Sequence, residues 1–292
     1  MTIPPHHKVV EAPPVDRPPL PAGTLNGEVA VVTGGGSGMG LAMASAFVQA
    51  GAKVAIFGRT QEKADQGAEK LRAMGGQVLA VGADVRDPAK IADVFDRAEA
   101  ELGPVTILAN NAGGNYPVLA EGMSAGQWRS ITRIAIDGTF FCSTEFARRR
   151  IAAGGRGAIV NNSAQYIWTG FPGDAHSAAA KAAIATMSAT QAQDWKQHRI
   201  RVNCVAAGFF PHAHSVNGQN ADQDVRLGAM LPIARVGRMH EFGWISAFLC
   251  SPFAAGITGE TLVIDAADRL RRTLTSPDFI PPREREVIWG DM

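Results

Sequence analysis

A glycine-rich run, Thr33-Gly34-Gly35-Gly36-Ser37-Gly38-Met39-Gly40, lies between a β-branched stretch, Val29–Thr33, and an apolar, alanine-rich one. Few folds accommodate such a run. A strand that enters this loop and leaves as a helix must turn sharply, and glycine relaxes into the backbone conformations that the turn requires. The same geometry brings backbone N–H groups to the positive end of a helix, where a pyrophosphate is held. Placed between the first strand and first helix of a βαβ unit, the run predicts a dinucleotide site.

From Gly27 onward, apolar runs of strand length alternate with helical stretches, the pattern of a parallel sheet. Strands are expected at Val29–Thr33, Val54–Phe57, Val78–Val81, Thr106–Ala109, Ala158–Asn161, Arg201–Val205 and Thr261–Ile264. Helices are expected near 38–50, 60–74, 88–101, 124–152, 175–197 and 239–250. Ser124 with Gln127 fits a capping box opening the fourth helix, and Asp174 is placed to cap the fifth. The expected fold is α/β, a single-domain Rossmann-type doubly wound parallel sheet of seven strands with helices on both faces. Ligands of such sheets bind beyond the carboxyl ends of the strands. Residues 1–24, with Pro4, Pro5, Pro13, Pro14, Pro18, Pro19 and Pro21, read as a proline-rich tail, extended or disordered. Residues 25–268 form the dinucleotide-binding catalytic domain and 269–292 a C-terminal extension. That extension carries Pro277, Pro281 and Pro282, and its Phe279, Ile280, Val287, Ile288 and Trp289 call for something to pack on.

Composition removes several function classes. A formal net charge of +1 supplies no global field for nucleic acid or an anionic membrane. The local clusters Arg148-Arg149-Arg150 and Arg269, Arg271, Arg272 read as solvated helix ends or interface rims. The three cysteines, Cys142, Cys204 and Cys250, sit in apolar runs with no CxxC spacing, as small core residues of a reducing compartment. His212 and His214 have no apparent carboxylate or cysteine partner, so no metal site is expected. No apolar stretch spans a bilayer and no signal-peptide core or peroxisomal address is present, so the expected location is cytoplasmic.

Three motifs together carry a family resemblance: Thr33-Gly34-x-x-x-Gly38-x-Gly40, Asp84-Val85 after the third strand, and Asn110-Asn111-Ala112-Gly113 after the fourth. Over about residues 25–265 the chain resembles the short-chain dehydrogenase/reductase family. The resemblance implies that Thr33, Gly34, Gly36, Ser37, Gly38, Met39 and Gly40 cradle the dinucleotide. It implies that Asp84, with Val85, holds the adenine and that Asn110 stabilises the sheet beside the cofactor. Asn111, Ala112 and Gly113 border the same site, and Lys181 binds the nicotinamide ribose. An NAD site commonly ends the second strand with a carboxylate. Here Gly58 and then Arg59 stand instead, so a 2′-phosphate is accepted and NADPH is preferred over NADH.

The family's usual catalytic pattern fails here. Four residues before Lys181 stands Ser177, not tyrosine. Thirteen further back stands Ala164, not serine, and Ala135 replaces the usual helix asparagine. An aliphatic hydroxyl is a poor substitute for a phenol, whose ordinary pKa is about 10. The chain has two tyrosines, Tyr116 and Tyr166, and Tyr166 follows the fifth strand three residues after Ser163. This arrangement resembles the 2,4-dienoyl-CoA reductases, with tyrosine fifteen and serine four residues before the lysine. An asparagine soon after the Asn-Asn-Ala-Gly motif completes that pattern, here Asn115. Gly170-Phe171-Pro172 through His176-Ser177 also resembles the peroxisomal trans-2-enoyl-CoA reductases.

The resemblance implies hydride addition to a conjugated thioester, with Tyr166 and Asn115 donating to the developing enolate oxygen. Lys181 would supply positive charge and Ser177 would bridge lysine and substrate or a water. His176 is the best-placed histidine for proton transfer. Plainer roles remain open: Tyr166 packing near Trp168, Asn115 capping a loop, Ser177 allowing close helix contact. Two other activities also stay open. One is an NAD(P)-dependent carbonyl reductase or alcohol dehydrogenase on a small or cyclic substrate, with Tyr166 as displaced acid. The other is nucleotide binding without redox turnover. The family's proline-glycine after the sixth strand is Ala207-Gly208, and its aspartate-glycine-glycine after the last strand is Asp265-Ala266-Ala267. The expected partners are a small-molecule substrate, a CoA thioester by resemblance, and further copies of the chain in a dimer or tetramer. The small-residue face Ala178, Ala182, Ala185 and Ala189 would permit close helix contact, whether between copies or against the chain's own sheet.

Overall fold

A computed structural model describes residues 9–211 and 221–270. Its seven strands are β1 (Val29–Thr33), β2 (Lys53–Gly58), β3 (Val78–Gly82), β4 (Ile107–Asn110), β5 (Gly157–Ala164), β6 (Ile200–Ala207) and β7 (Thr261–Ile264). All pair in parallel, in the order β3-β2-β1-β4-β5-β6-β7. The order reverses between β1 and β4, which opens a crevice at their carboxyl ends. The helices are α1 (Gly38–Gln49), α2 (Gln61–Ala73), α3 (Pro88–Leu102), α4 (Ala125–Thr132), α5 (Gly138–Ala152), α6 (Ala175–Trp195), α7 (Ala221–Ala229) and α8 (Met239–Cys250).

Successive residues of β1 point to opposite faces, and both faces are covered. Ala30 and Val32 pack with Met43 and Phe47 of α1 and Phe242 of α8. Val29 and Val31 join Ile91 and Phe95 of α3 and Phe146 of α5 on the other side. This explains why β1 reads as an unbroken apolar run rather than an alternating one. Each such Phe, Ile or Val contributes roughly 1.5–3 kcal/mol by leaving water. The doubly wound sheet expected from the sequence is the one observed.

Several boundaries differ from expectation. The single helix expected over 124–152 is interrupted by a π-turn, Arg133–Asp137, with Ala135 buried inside it. β5 and β6 run past their expected ends, because Asn162 and Ser163 in one and Ala206 and Ala207 in the other are buried in the sheet rather than looped out. α7 has no counterpart in the sequence pattern. The capping box holds: Ser124 Oγ accepts from Gln127 N at 3.2 Å and Gln127 Oε1 accepts from Ser124 N at 2.9 Å. Asp174 does not cap α6, because its carboxylate is engaged elsewhere.

Residues 9–24 lie against the domain without helix or strand. Val10 N donates to Ile233 O at 3.1 Å, Arg235 Nε donates to Val10 O, and Leu20 enters the core beside α1 and α8. A cavity of about 830 Å³ separates this segment from α8 and the loop after β6, with Phe210, Trp244 and Phe248 in its wall. None of the site residues described next lines it. The three cysteines are free and buried, and burial pushes Cys204 up to about 11 and Cys250 up to about 12. Among the described residues no cluster of His, Cys, Asp or Glu is arranged to hold a metal, and no helix is long and apolar enough to cross a membrane. His212, His214, Arg271, Arg272 and the apolar residues of the C-terminal extension lie outside the described residues.

Candidate active site

The glycine loop between β1 and α1 is built for close backbone approach. Gly34 (φ 66°) and Gly38 (φ 53°) adopt left-handed conformations that side chains disfavour. A Cβ on Gly40 would collide with Gly34 O, and one on Gly36 with Lys63 O, so neither can carry a side chain. Ser37 opens α1 without a side-chain cap and the first turn holds no acidic residue, leaving its N–H groups for an anion. These features fit the pyrophosphate of a dinucleotide.

Thr33 ties this loop to the one after β4. Its Oγ1 accepts from Asn111 N at 2.9 Å and Ala112 N at 2.8 Å. Asn111 Oδ1 in turn accepts from Asn162 Nδ2 at 2.9 Å, which carries the connection to β5. A second ladder is fully buried. Asn110 Nδ2 donates to Asn161 Oδ1 at 2.8 Å and to Ser143 Oγ at 2.9 Å, and Asn161 Nδ2 donates to Ser188 Oγ at 2.8 Å. These amides lock the carboxyl ends of β1, β4 and β5 in register beside the crevice, where an unsatisfied group would cost roughly 1–3 kcal/mol. Asn110 therefore sits where the resemblance implied. Asn161 and Asn162 were not among the expected site residues; the polar triplet Asn161-Asn162-Ser163 ending an apolar strand was the available signal.

Two residues past β3, Asp84 receives three bonds from the Arg86 guanidinium, the shortest 2.6 Å, and one from its backbone N–H. That contact holds the Asp84 carboxyl below the usual range. Val85 packs so closely that a Cβ on Gly138 would lie 2.6 Å from it. Arg59 is exposed just past β2, with its charge close enough to act on Asp84.

Tyr166 leaves β5 in a short 3₁₀ turn, Gln165–Ile167, and is half-buried. Its hydroxyl is 2.8 Å from Ser177 Oγ in the first turn of α6. Burial raises the phenol above its ordinary pKa, against a downward pull from the Ser177 bond, and the Asp174 carboxylate adds to the rise. Lys181, one turn along α6, donates from Nζ to Asn162 O at 2.6 Å. Burial brings its ammonium down to about 8. Ser177 Oγ makes its bond to Tyr166 because the strand-end turn brings the phenol over the start of α6. The Tyr166 ring lies 6.2 Å from Phe171, whereas the exposed Trp168 ring is covered by Arg269 Cζ at 5.3 Å.

Asn115 is close to the same helix start, with one of its two amide hydrogens engaged. Its Nδ2 donates to Asp174 Oδ2 at 2.8 Å, and its Oδ1 is buried without a partner. His176 is fully buried, with Nδ1 accepting from Ser177 N at 2.8 Å. That bond leaves the proton on Nε2, which has no partner, and the ring meets Tyr116 edge-on at 5.3 Å. The tertiary structure thus brings Tyr166, Ser177, Lys181, Asn162, Asn115, Asp174 and His176 together at one sheet edge. Asp174 was anticipated there only as a cap.

A family model described as enoyl-(acyl carrier protein) reductase matches residues 34–266. A probable 2,4-dienoyl-CoA reductase of Bacillus subtilis is 32% identical over 243 residues, covering 82% of this chain and 96% of the relative. Cis-4-hydroxycyclohexanecarboxylate dehydrogenase of Sinomonas cyclohexanicum is 37% identical over 238 residues, covering 81% and 94% respectively. Among solved structures, a short chain dehydrogenase from Bacillus anthracis superposes with a TM-score of 0.77 at 36% identity, covering 84% of this chain and 98% of that one.

Proposed function

The chain belongs to the short-chain dehydrogenase/reductase family of NAD(P)-dependent oxidoreductases, and from that membership we propose that it reduces a conjugated enoyl or 2,4-dienoyl thioester using NADPH. The observation that carries this reading is the 2.8 Å contact between Tyr166 and Ser177, on the helix that presents Lys181. It supplies a phenol where the family's usual position holds only a serine.

A bound nicotinamide would supply the hydride. Gly34, Gly36, Ser37, Gly38, Met39 and Gly40 would hold its pyrophosphate, Asp84 and Val85 its adenine, and Asn111, Ala112, Gly113 and Lys181 the rest. Arg59 favours a 2′-phosphate, since no carboxylate at the end of β2 opposes one. As hydride reaches the remote carbon, negative charge moves onto the thioester oxygen. Tyr166 stays protonated, because burial raises its pKa, and donates to that oxygen. Ser177 orients the phenol, and a proton from solvent water completes the reduction at carbon. Lys181 holds positive charge beneath the site, and the second Nδ2 hydrogen of Asn115 remains for the substrate oxygen.

A second reading has its own support. The Tyr166–Ser177 pair would equally protonate an alkoxide, and the cis-4-hydroxycyclohexanecarboxylate dehydrogenase relative suggests carbonyl chemistry on a cyclic substrate. A substrate panel separates the two. The protein is mixed with NADPH and a 2,4-dienoyl-CoA, a 2-enoyl-CoA or a set of ketones, and nicotinamide absorbance is followed. Oxidation with the thioesters supports the first reading. Oxidation with ketones alone replaces it by the second.

Association of copies is also proposed. Trp128, Phe140 and Ile151 are exposed along α4 and α5. Ala178, Ala182, Ala185 and Ala189 are only half-buried, while Ala180, Ile184 and Ser188 of the same helix are buried. That small-residue face is left partly open and suits close contact with a second copy in a dimer or tetramer.

A further inference from the structure

We propose that Asp174 is a positioning residue: its carboxylate fixes the orientation of the Asn115 amide and anchors the loop after β4 to the start of α6. The inference rests on the reading above in that Asn115 is taken to face the substrate oxygen.

Asp174 stands at the head of a 21-residue helix, where a carboxylate would ordinarily accept from first-turn N–H groups. It makes no such bond, and its backbone (φ −113°, ψ 26°) is not the extended form that capping residues adopt. Its Oδ2 instead accepts from Asn115 Nδ2 at 2.8 Å, and the residue is 5% exposed. The main chain repeats the connection one residue earlier, where Val118 N donates to Gly173 O at 2.8 Å. Gly173 permits this approach: it adopts φ 81°, and an added Cβ would lie 3.2 Å from Pro117. His176 reaches the same loop through its edge-on contact with Tyr116.

An amide facing a neutral hydroxyl or amide can present either end. A carboxylate accepts only, so Asn115 must turn Nδ2 toward it and Oδ1 away. The structure has this arrangement, with Oδ1 left as a buried acceptor. Burying a carboxylate is costly unless it is well bonded, so a neutral anchor would hold the loop at lower cost. What the charge adds is direction. It removes the flipped amide, which would place a carbonyl oxygen against a carboxylate.

Three variants test this. Asp174→Leu removes the acceptor at similar volume, Asp174→Asn keeps an acceptor oxygen, and Asn115→Ala removes the amide. Hydrogen exchange of the 111–120 backbone is read by mass spectrometry without substrate. Then kcat and KM are measured with whichever thioester or ketone the wild type turns over. Asp174→Leu should raise exchange in this loop and lower kcat about tenfold, in line with the loss of a hydrogen bond to a charged group. Its KM for NADPH should not move. Asp174→Asn should restore the protection of the loop but not the full kcat, because an amide at 174 accepts either end of Asn115, and Asp174→Leu with Asn115→Ala should be no slower than Asn115→Ala alone. Unchanged exchange in Asp174→Leu, an Asp174→Asn with wild-type kcat or with exchange as high as Asp174→Leu, or two single losses that multiply in the double variant would each overturn the proposal. Should Asp174→Leu not fold, Asn115→Leu breaks the same bond from its other end and must raise exchange in the same loop. Failure of the thioester reading would be seen in the wild type, and failure of the anchor only in the variants.

Discussion

The Tyr166 hydroxyl lies 2.8 Å from Ser177 Oγ, which joins the phenol at the tip of β5 to the serine that fills the family's usual acid position. Two hydroxyls eleven residues apart in sequence, on different elements, therefore share one hydrogen bond. The arrangement assigns unequal roles. Tyr166→Phe should lower turnover on the order of a hundredfold or more, by analogy with loss of an oxyanion donor. Ser177→Ala should cost less, since the phenol remains. Neither should change NADPH affinity by fluorescence titration, and a Tyr166→Phe enzyme with wild-type turnover would reduce Tyr166 to a packing residue.

Burial brings Lys181 from its ordinary 10.5 down to about 8, and the sign of the pH dependence follows. The ammonium is present below that value and lost above it. Turnover should decline as pH rises through about 8, with the slope of one proton, while Tyr166 remains protonated because its own pKa is raised. Stability should run the other way. The unfolded chain binds more protons at this position between about 8 and 10.5, so folding free energy improves with pH across that window. Lys181→Met should remove that rise in denaturant titrations at pH 7.5 and pH 10, roughly the two ends of the interval.

Arg59 stands exposed just past β2, a strand that ends on Gly58 rather than on a carboxylate. Arg59→Ala should weaken NADPH about tenfold, the scale of one exposed charge-assisted contact, and leave NADH nearly unchanged. Dissociation constants for both nucleotides measure this directly, and equal losses would place Arg59 outside the 2′-phosphate site.

Ala266 (φ 56°) and Ala267 (φ 63°) follow β7 in left-handed conformations, where the family usually has glycines. Asp265 holds them there, its Oδ1 accepting from Ala267 N at 2.9 Å and its Oδ2 from Arg269 N at 3.0 Å. A Cβ in this region costs about 1–2 kcal/mol. Ala267→Gly should therefore stabilise the fold by about 1 kcal/mol and raise the thermal midpoint by roughly 2–4 °C. Calorimetry would show it.

The glycine loop was legible because Gly34 and Gly38 are demanded by local backbone geometry, which neighbours in sequence settle. Lys181 and Tyr166 were legible through their spacing from known motifs. Asn161 and Asn162 read as the end of a strand, since nothing local says that an amide will find a partner 51 residues away. The same holds for the π-turn at Arg133–Asp137, whose residues have ordinary helical composition. Asp174 read as a cap because capping is its cheapest local option.

The order of residues along the chain was enough to determine the alternating strands and helices, the dinucleotide loop and the absence of a tyrosine before Lys181. Those properties depend on φ/ψ preference, apolar period and residue identity within one element. Tertiary packing decided that Tyr166 meets Ser177, that Asn115 meets Asp174 and that Lys181 turns to Asn162. Each of these is a bond between groups from different elements or turns. Each becomes favourable only once the sheet has brought the strand ends together and taken those groups out of water, where an unpaired polar atom is expensive.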